Sequence, residues 1–424
     1  MSDWHPSAAP SWEEPLAFAS RFIGRDIAFL YSSLQENFSG NTSYLFVDPI
    51  EEITGTQWAQ LPALPADGDL PIWVGHLGYG MREDDTRGAA SPVTLPDFRL
   101  IRYARLYRFD HDARHIDAYT CNGKVTDAPE LNIATNAPVT LARLDSNLTR
   151  ATYESIVAAT IEQIRDGNFY QANITRKFFG AFTHAPDSWQ LFTQLCTASP
   201  APYSAYIRHK STAILSSSPE CFLKITADGT ITTRPIKGSA RRHSDASADK
   251  KIREQLLVSQ KNHAENLMIV DLMRNDLSRV SEPLSVEVVE QSALYSYSTI
   301  HHLISTIRAQ KSAGIRAYDA VRACFPAGSM TGAPKIAAMH WCTAQEKLER
   351  GVYSGAIGWF GAGDTCDLSV VIRTLILDGN RFEFQVGGGI VADSTPGDEW
   401  RETITKARGI LSALGLKEED LAAL

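Results

Sequence analysis

The alternation of apolar and polar positions predicts an amino-terminal part built mainly from antiparallel strands. Residues 27–49 alternate in part around a turn-rich segment, and residues 98–120 form two strand-like runs about an Asp-His-Asp turn at 110–112. A polar stretch with weak periodicity follows. We therefore place a boundary there, which divides the chain into an amino-terminal region, 1–148, and a second region, 149–424.

The second region mixes helices with hairpins. A helix is predicted to begin at Thr149 or Thr152, because apolar side chains then recur at helical spacing as far as Ile164. A strand is predicted at 169–182, and a hairpin is predicted at 211–238. This mixture favours an α+β fold over a regular βαβ alternation.

Two further helices and three strands complete the prediction. The chain ends in a predicted helix from about Asp398 to Leu414, and residues 355–391 give three strand-like runs, the last two joined by a turn at 378–380. A long helix is predicted at about 246–276. Its broad apolar stripe consists of Ile252, Leu256, Leu257, Ala264, Leu267, Met268 and Leu272.

Composition narrows the class of protein. The 424 residues are 44% hydrophobic and 21% charged, which is typical of a globular protein with a large core. A net charge of −8 argues against nucleic acid or an anionic membrane as the main partner. There is no apolar run of about 20 residues and no signal-like amino terminus. Six scattered cysteines without a Cys-x-x-Cys pair argue against a disulfide framework or a zinc site, so we expect a cytoplasmic protein.

Three carboxylates are candidates for a cation site. Glu265 lies on the predicted long helix, and Glu399 and Glu402 share one face at the start of the last helix. Mg²⁺ binds through one or two protein carboxylates together with water and an anionic substrate. The alternative is that these acids are solvated and simply favoured by the helix dipole.

Glycines and a lone arginine are candidates for binding an anion. Gly387, Gly388 and Gly389 end a strand, where glycine permits either a tight bend or the close approach of a ligand to the backbone. A second glycine-rich turn, at 328–334, precedes a predicted helix, which is either a plain helix entry or an anion site. Arg373 lies in an apolar strand-like run, where it either clamps a carboxylate or forms an internal salt bridge.

Three further side chains have weaker signals when each is taken alone. Glu220 is a candidate general acid, and His302 is either a pocket residue or a structural histidine. Lys237, in "TTRPIKGSARR", is either a solvated charge or a partly desolvated nucleophile.

The order of these motifs along the chain carries more information than any one of them. The segments "SSSPECFLKI", "RPIKGSARR", "AENLMIVDLMRNDLSRV", "FPAGSMTGAPKIAAM", "DLSVVIRTL" and "GGGIVADSTPGDEWRET" resemble the chorismate-utilising enzymes. The resemblance is dense over about 150–415 and thinner over the first 148 residues. It implies two packed β-sheets with helices outside, as in anthranilate synthase component I. It also implies an active site in the cleft between the sheets and an amino-terminal region interwoven with the rest.

The resemblance also implies a role for each candidate residue. Glu265 and Glu402 are similar to Mg²⁺ ligands, with Glu399 beside them. Glu220 is similar to the carboxyl group that assists departure of the ring 4-hydroxyl, and His302 to the family's pocket histidine. The residues similar to those that hold chorismate are Arg373, Tyr353, Ser329, Gly387, Gly388 and Gly389.

Lys237 distinguishes between members of the family. Members that add ammonia at ring carbon 2 resemble one another in "PIAGT", whereas those that add it at carbon 4 have lysine, as in "PIKGS" here. By resemblance, the lysine attacks carbon 2 while the 4-hydroxyl leaves, and ammonia then enters at carbon 4. Gln171 stands where water-using relatives have a lysine base, which favours ammonia as the nucleophile.

We therefore expect conversion of chorismate to 4-amino-4-deoxychorismate, the precursor of 4-aminobenzoate and folate. The sequence lacks a "GxCxG" turn, so we expect ammonia from a separate glutamine amidotransferase subunit or from solution. The alternatives are anthranilate synthase component I and a non-catalytic chorismate sensor. Asn262 departs from the family by replacing an acid near the metal site. Tyr31 to Ser33 match the tryptophan-binding segment of relatives only in part, so we do not predict feedback inhibition, and tryptophan binding stays open.

Overall fold

The computed structural model describes residues 4–34, 41–84, 86–121, 139–297 and 300–424. Twenty strands lie in these ranges: β1 His5–Pro6, β2 Ile27–Tyr31, β3 Thr42–Gly55, β4 Pro71–Leu77, β5 Phe98–Asp110, β6 His115–Thr120, β7 Leu141–Ser146, β8 Gln171–Phe182, β9 Tyr203–His209, β10 Thr212–Ser218, β11 Cys221–Ile225, β12 Thr230–Arg234, β13 Ile236–Arg241, β14 Glu287–Ser296, β15 Ile300–Gln310, β16 Gly332–Ala333, β17 Ala356–Gly361, β18 Thr365–Val370, β19 Thr374–Asp378 and β20 Arg381–Ile390.

The α-helices of the described ranges lie between these strands or follow them: α1 Pro15–Ser20, α2 Arg150–Arg165, α3 Ser188–Ala198, α4 Ala246–Val258, α5 Gln260–Ser278, α6 Ala317–Cys324, α7 Lys335–Glu346, α8 Pro396–Leu414 and α9 Glu418–Ala422. Helix α2 begins where predicted, because the Thr149 side chain caps it by accepting a hydrogen bond from the Thr152 amide. The predicted carboxy-terminal helix is confirmed as α8.

The strands form two arms that are joined at β3 and β5. The first arm runs from β5 through β4, β17, β18, β11 and β12 to β15, which also pairs with β13 and β14. The second arm runs from β3 through β2, β9, β10, β19 and β20 to β8, which also pairs with β7 and β16. The predicted α+β fold is confirmed, and the two sheets prove to be parts of one hydrogen-bonded network.

Apolar side chains from both arms fill a shared core. Leu223 and Ile357 of the first arm lie in the same buried cluster as Ile207 and Ile214 of the second. A second cluster lies where helices α1, α3 and α8 cover the second arm, which places these helices on the outside. Burial of this apolar surface holds the arms and helices in fixed positions.

The prediction of the long helix is wrong in two respects. It breaks at Ser259, whose side chain accepts a hydrogen bond from the Asn262 amide and so begins the new helix α5. The apolar stripe is also misplaced, since Leu257 and Leu267 are 41% and 47% exposed. In α5 the buried apolar side chains are instead Ile269, Val270, Met273 and Leu277.

The carboxy-terminal strands also differ from prediction. Residues 356–390 form four strands rather than three, because residues 371–373 divide the second predicted run into β18 and β19. The predicted turn at 378–380 is confirmed between β19 and β20.

Strands from the first 148 residues pair with strands from the rest of the chain. Strand β2 pairs with β9, and β4 pairs with β17. All six cysteines are buried with free thiols. Within the described ranges, no helix has the length and apolar character needed to cross a membrane.

Candidate active site

Lys237 lies where the two arms approach each other. It is in β13 of the first arm and faces Gly389, in β20 of the second. A β-carbon added to Gly389 would lie only 3.1 Å from Lys237 Nζ and 2.7 Å from Gln171 Nε2. Glycine at this position therefore leaves room for the amine, and the three glycines lie within β20, paired with β8, rather than at a bend.

The surroundings of Lys237 favour its neutral form. Burial lowers the pKa of its amine, and the positive charge of Lys406 acts in the same direction. The carboxylates of Glu265, Glu220 and Glu402 oppose this change, but burial is the largest influence. The neutral form of an amine in a cleft is nucleophilic, and a lowered pKa makes that form easier to reach, so the geometry does not favour the solvated-charge alternative.

Glu220 lies in the connection from β10 to β11, where the chain passes from the second arm to the first. It is buried, and Ser329 Oγ donates a hydrogen bond of 2.7 Å to its Oε1. Burial raises the pKa of Glu220 to about 7, although Ser329 and the charge of Lys237 act against the rise. Such a carboxyl group can hold a proton near neutral pH and give it to a leaving group.

Arg373 occupies another connection between the arms, from β18 to β19. The prediction that Arg373 lies in a strand is wrong, because it follows the end of β18 at Val370 and its φ of +50° lies in the left-handed region. Burial lowers the pKa of Arg373 to about 10, and Glu220 partly offsets the change. Among the described residues no ion pair includes Arg373, so its guanidinium remains available to an anion.

His302 and Tyr353 line the same region as uncharged polar groups. His302 Nδ1 lies 2.6 Å from Ser239 Oγ, across the β13–β15 pair. Burial lowers the pKa of His302 well below its usual value, and the charge of Arg373 lowers it further. Burial raises the pKa of Tyr353, which keeps its hydroxyl protonated. Both groups can donate or accept hydrogen bonds without adding charge.

The three carboxylates converge from two helices. Glu399 and Glu402, on α8, flank Gly388, whose added β-carbon would lie 2.9 Å from Glu399 Oε2 and 3.7 Å from Glu402 Oε1. Glu399 is 2% exposed and its Oε2 has no hydrogen-bond partner in the described protein. Burial and the charge of Glu402 raise the pKa of Glu399, whereas Lys406 lowers that of Glu402. A buried carboxylate oxygen without a partner is suited to a hard cation.

Two lysines that the sequence analysis did not single out lie among these carboxylates. Lys406 Nζ is 2.6 Å from Glu402 Oε1 and donates a 2.8 Å hydrogen bond to the carbonyl of Gly387. Lys261 Nζ is 3.5 Å from Glu399 Oε1 and 3.9 Å from Glu265 Oε1. Each lysine lies four residues from a glutamate on the same helix. In a helical sequence, this spacing indicates an ion pair.

With the lysines in these positions, the carboxylates do not form a ready cation site. In the described part of the chain, no group of three His, Cys, Asp or Glu side chains is arranged to hold a metal ion as it stands. The carboxylate oxygens are suited to a divalent cation, but the ammonium groups of Lys261 and Lys406 lie next to them.

Gln171 and Asn262, two further positions at which the chain differs from relatives, both lie close to this region. Gln171 is fully buried in β8, and neither polar atom of its amide has a hydrogen-bond partner among the described residues. Asn262 lies in the first turn of α5, where its Cγ would be 3.1 Å from a β-carbon added to Gly238. It thus packs against the strand that carries Lys237.

A separate cavity of about 470 Å³ is lined by two residues of the partial tryptophan-binding match, Tyr31 and Ser32. Lys224 and Asp367 form an ion pair of 3.4 Å in its wall. None of the residues around Lys237 described above lines this cavity, and whether it binds tryptophan stays an open prediction.

The sequence matches a family model over residues 18–412, and that model is described as chorismate binding enzyme. This match covers most of the chain. The protein therefore belongs to the chorismate binding enzyme family.

Similar proteins carry the comparison further. The chain is 36% identical over 386 residues to aminodeoxychorismate synthase component 1 of Salmonella typhimurium, covering 88% of this chain and 84% of that protein. It is 37% identical to aminodeoxychorismate synthase of Streptomyces pristinaespiralis over 83% of its length, and there it spans about half, 52%, of the relative.

A solved structure shows the same fold. Anthranilate synthase component I of Streptococcus pneumoniae superposes with a TM-score of 0.75 at 26% identity, covering 89% of this chain and 93% of that one. The expected likeness to the anthranilate synthase fold is confirmed.

Proposed function

We propose that this protein aminates chorismate at ring carbon 4 to give 4-amino-4-deoxychorismate, for 4-aminobenzoate and folate synthesis. The observation that carries the proposal is the placement of Lys237, a half-buried lysine that faces Gly389 and whose amine has a lowered pKa, within the same charged cluster as Glu220. The similarity to relatives named aminodeoxychorismate synthase supports it.

Each residue has a defined task in the proposed reaction. The Lys237 amine attacks carbon 2, both ring double bonds shift, and the 4-hydroxyl leaves as water with the proton of Glu220. Ammonia then attacks carbon 4, both double bonds shift back, and the bond from carbon 2 to the Lys237 amine breaks. The new ammonium group returns a proton to Glu220, so chorismate and ammonia give the amino product and water.

The remaining groups bind and orient the substrate. Arg373 and Tyr353 would hold one carboxylate, with Ser329 and His302 completing the pocket and the Gly387–Gly389 backbone admitting the ring. Glu265 and Glu402, with Glu399 beside them, would hold Mg²⁺. Mg²⁺ would neutralise the negative charge of a bound carboxylate. The ammonia would come from a separate glutamine amidotransferase subunit.

A turnover assay with separated products tests this function. With chorismate, Mg²⁺ and ammonium, we expect the 4-amino product. With glutamine in place of ammonium, we expect no turnover by the purified chain until an amidotransferase subunit is added. Anthranilate as the main product would assign the protein to the alternative activity, and no product from either nitrogen source would favour a sensor. Glutamine turnover by this chain alone would contradict the proposed partner.

Glu402→Gln tests the proposed cation site. The amide keeps the size of the side chain but removes its charge, so activity should fall by about 10²-fold or more and depend less on Mg²⁺. Activity at several Mg²⁺ concentrations, with a thermal melt to confirm folding, provides the measurement. Glu254→Gln, at an exposed position of α4, is the matched control and should behave like the wild type. Full activity of Glu402→Gln, or of the wild type in excess chelator, would contradict the assignment.

A further inference from the structure

Lys261 bridges two helices at the carboxylates of the candidate cation site. Its Nζ lies 3.5 Å from Glu399 Oε1 on α8 and 3.9 Å from Glu265 Oε1 on α5. Glu399 is almost fully buried, whereas 45% of the Lys261 side chain is exposed. The ammonium group therefore reaches in from solvent to neutralise carboxylates that would otherwise repel each other.

The position of this ammonium group conflicts with a bound cation. A divalent ion held by Glu265 and Glu402, with Glu399 beside them, must approach the Glu265 oxygen that Lys261 contacts, and two positive groups cannot share that oxygen without strong repulsion. Lys261 lies in the first turn of α5, and its partners among the described residues are these two carboxylates. Its flexible four-carbon stem allows it to move into solvent.

Lys406 is held differently. Its amine donates to the Gly387 carbonyl as well as pairing with Glu402, which lies on its own helix. It therefore does not bridge α5 and α8, and of the two lysines Lys261 is the one that pairs with carboxylates of both helices.

We propose that Lys261 is the counter-ion of the metal-free protein, and that it is displaced when a divalent cation binds. This inference rests on the proposed cation site. Carboxylates suited to a cation are present, but the Lys261 ammonium group neutralises them. A cation can bind only when it replaces that ammonium group. Lys261 thus sets how readily the substrate-free protein takes up metal.

Titration calorimetry of Mn²⁺ and of Mg²⁺ into the substrate-free protein tests the proposal. Lys261→Met should bind the ion more tightly by roughly 3- to 10-fold, the scale of losing two partly exposed ion pairs that compete with it. In chelator the variant should melt at a lower temperature than the wild type, and added Mn²⁺ should raise its melting temperature by a larger increment. Lys261→Arg keeps the charge and should remain close to the wild type.

The chain offers a matched control. Lys250 and Glu254 form another lysine–glutamate pair four residues apart, at 3.8 Å on the exposed surface of α4. Lys250→Met should leave the affinity for Mn²⁺ unchanged. If Lys261→Met binds Mn²⁺ no more tightly than the wild type, the proposal is overturned.

A glutamate variant separates this inference from the cation site on which it rests. If Glu265→Gln abolishes Mn²⁺ binding while Lys261→Met leaves it unchanged, the cation site stands and only the role of Lys261 fails. If neither the wild type nor Lys261→Met shows saturable binding, both fail.

Discussion

Lys237→Ala should reduce formation of the 4-amino product by at least about 10²-fold, the scale on which losing covalent catalysis is felt. The substitution removes the amine that faces Gly389 and so removes the block at carbon 2 of the substrate. A trace of 2-amino product, or of anthranilate, should then appear. Chromatographic separation of the products measures both changes.

Mass spectrometry adds a second readout for the same residue. The wild type, incubated with chorismate but without ammonia, should yield a protein–substrate adduct at Lys237, and Lys237→Ala should yield none. Lys210→Ala is a suitable control, because Lys210 is largely exposed and lies outside the cluster around Glu220. Formation of the 4-amino product by Lys237→Ala at the wild-type rate would mean that the lysine is a loop charge.

Glu220→Gln should lower the rate by about 10²- to 10³-fold, because the amide cannot give a proton to the leaving hydroxyl. The amide oxygen still accepts the hydrogen bond from Ser329, so the pocket should keep its shape. In the wild type, kcat/KM for chorismate should fall as pH rises through about 7, where Glu220 loses its proton. This decrease of kcat/KM with rising pH should be absent from the residual activity of Glu220→Gln.

Asp367→Asn is the control for this pH effect. Burial also raises the pKa of Asp367, but this residue lies in the separate cavity. The pH profile of Asp367→Asn should therefore match the wild type. A wild-type profile for Glu220→Gln would remove Glu220 from the role of general acid.

Glu220→Gln should raise the free energy of unfolding although it lowers activity. The pKa of Glu220 is about 7 in the folded protein against an ordinary value of 4.5, so the folded state binds more protons between those values. The free energy of unfolding contributed by this group therefore falls as pH rises from 4.5 to about 7. At pH 8, Glu220→Gln should be more stable than the wild type by up to about 3 kcal/mol, and at pH 5 the gain should be small. Denaturant titrations at the two pH values measure it.

Local sequence patterns predicted most of the helices and strands but not the positions at which they are interrupted. The start of α2 was predictable because Thr149 and the apolar spacing after it act within a few residues of each other. Ser259 was missed because a serine inside a continuous apolar pattern gives no sign that its side chain will cap a new helix. Arg373 was misplaced for a related reason, since a left-handed φ at a non-glycine residue is imposed by the surrounding structure.

The candidate site was only partly predictable. Motif order brought Lys237, Glu220 and the carboxylates into one hypothesis, and the structure places them within range of each other's charge. The ammonium groups of Lys261 and Lys406 were not included, because their contacts with α8 and β20 depend on how distant segments pack. Pairings of this kind arise from tertiary structure, and single-sequence patterns carry little trace of them.

The pairing of early strands with late ones limits how this protein can change by recombination. Strand β2 supplies hydrogen bonds to β9, and β4 supplies them to β17, so neither part of the chain completes its own sheet. A crossover between relatives near residue 148 would join strands that had not been selected together. The β2–β9 and β4–β17 pairs would then both have to keep their hydrogen-bond register. Genetic exchange should therefore preserve the two parts as one heritable unit, and chimaeras should be built with matched halves.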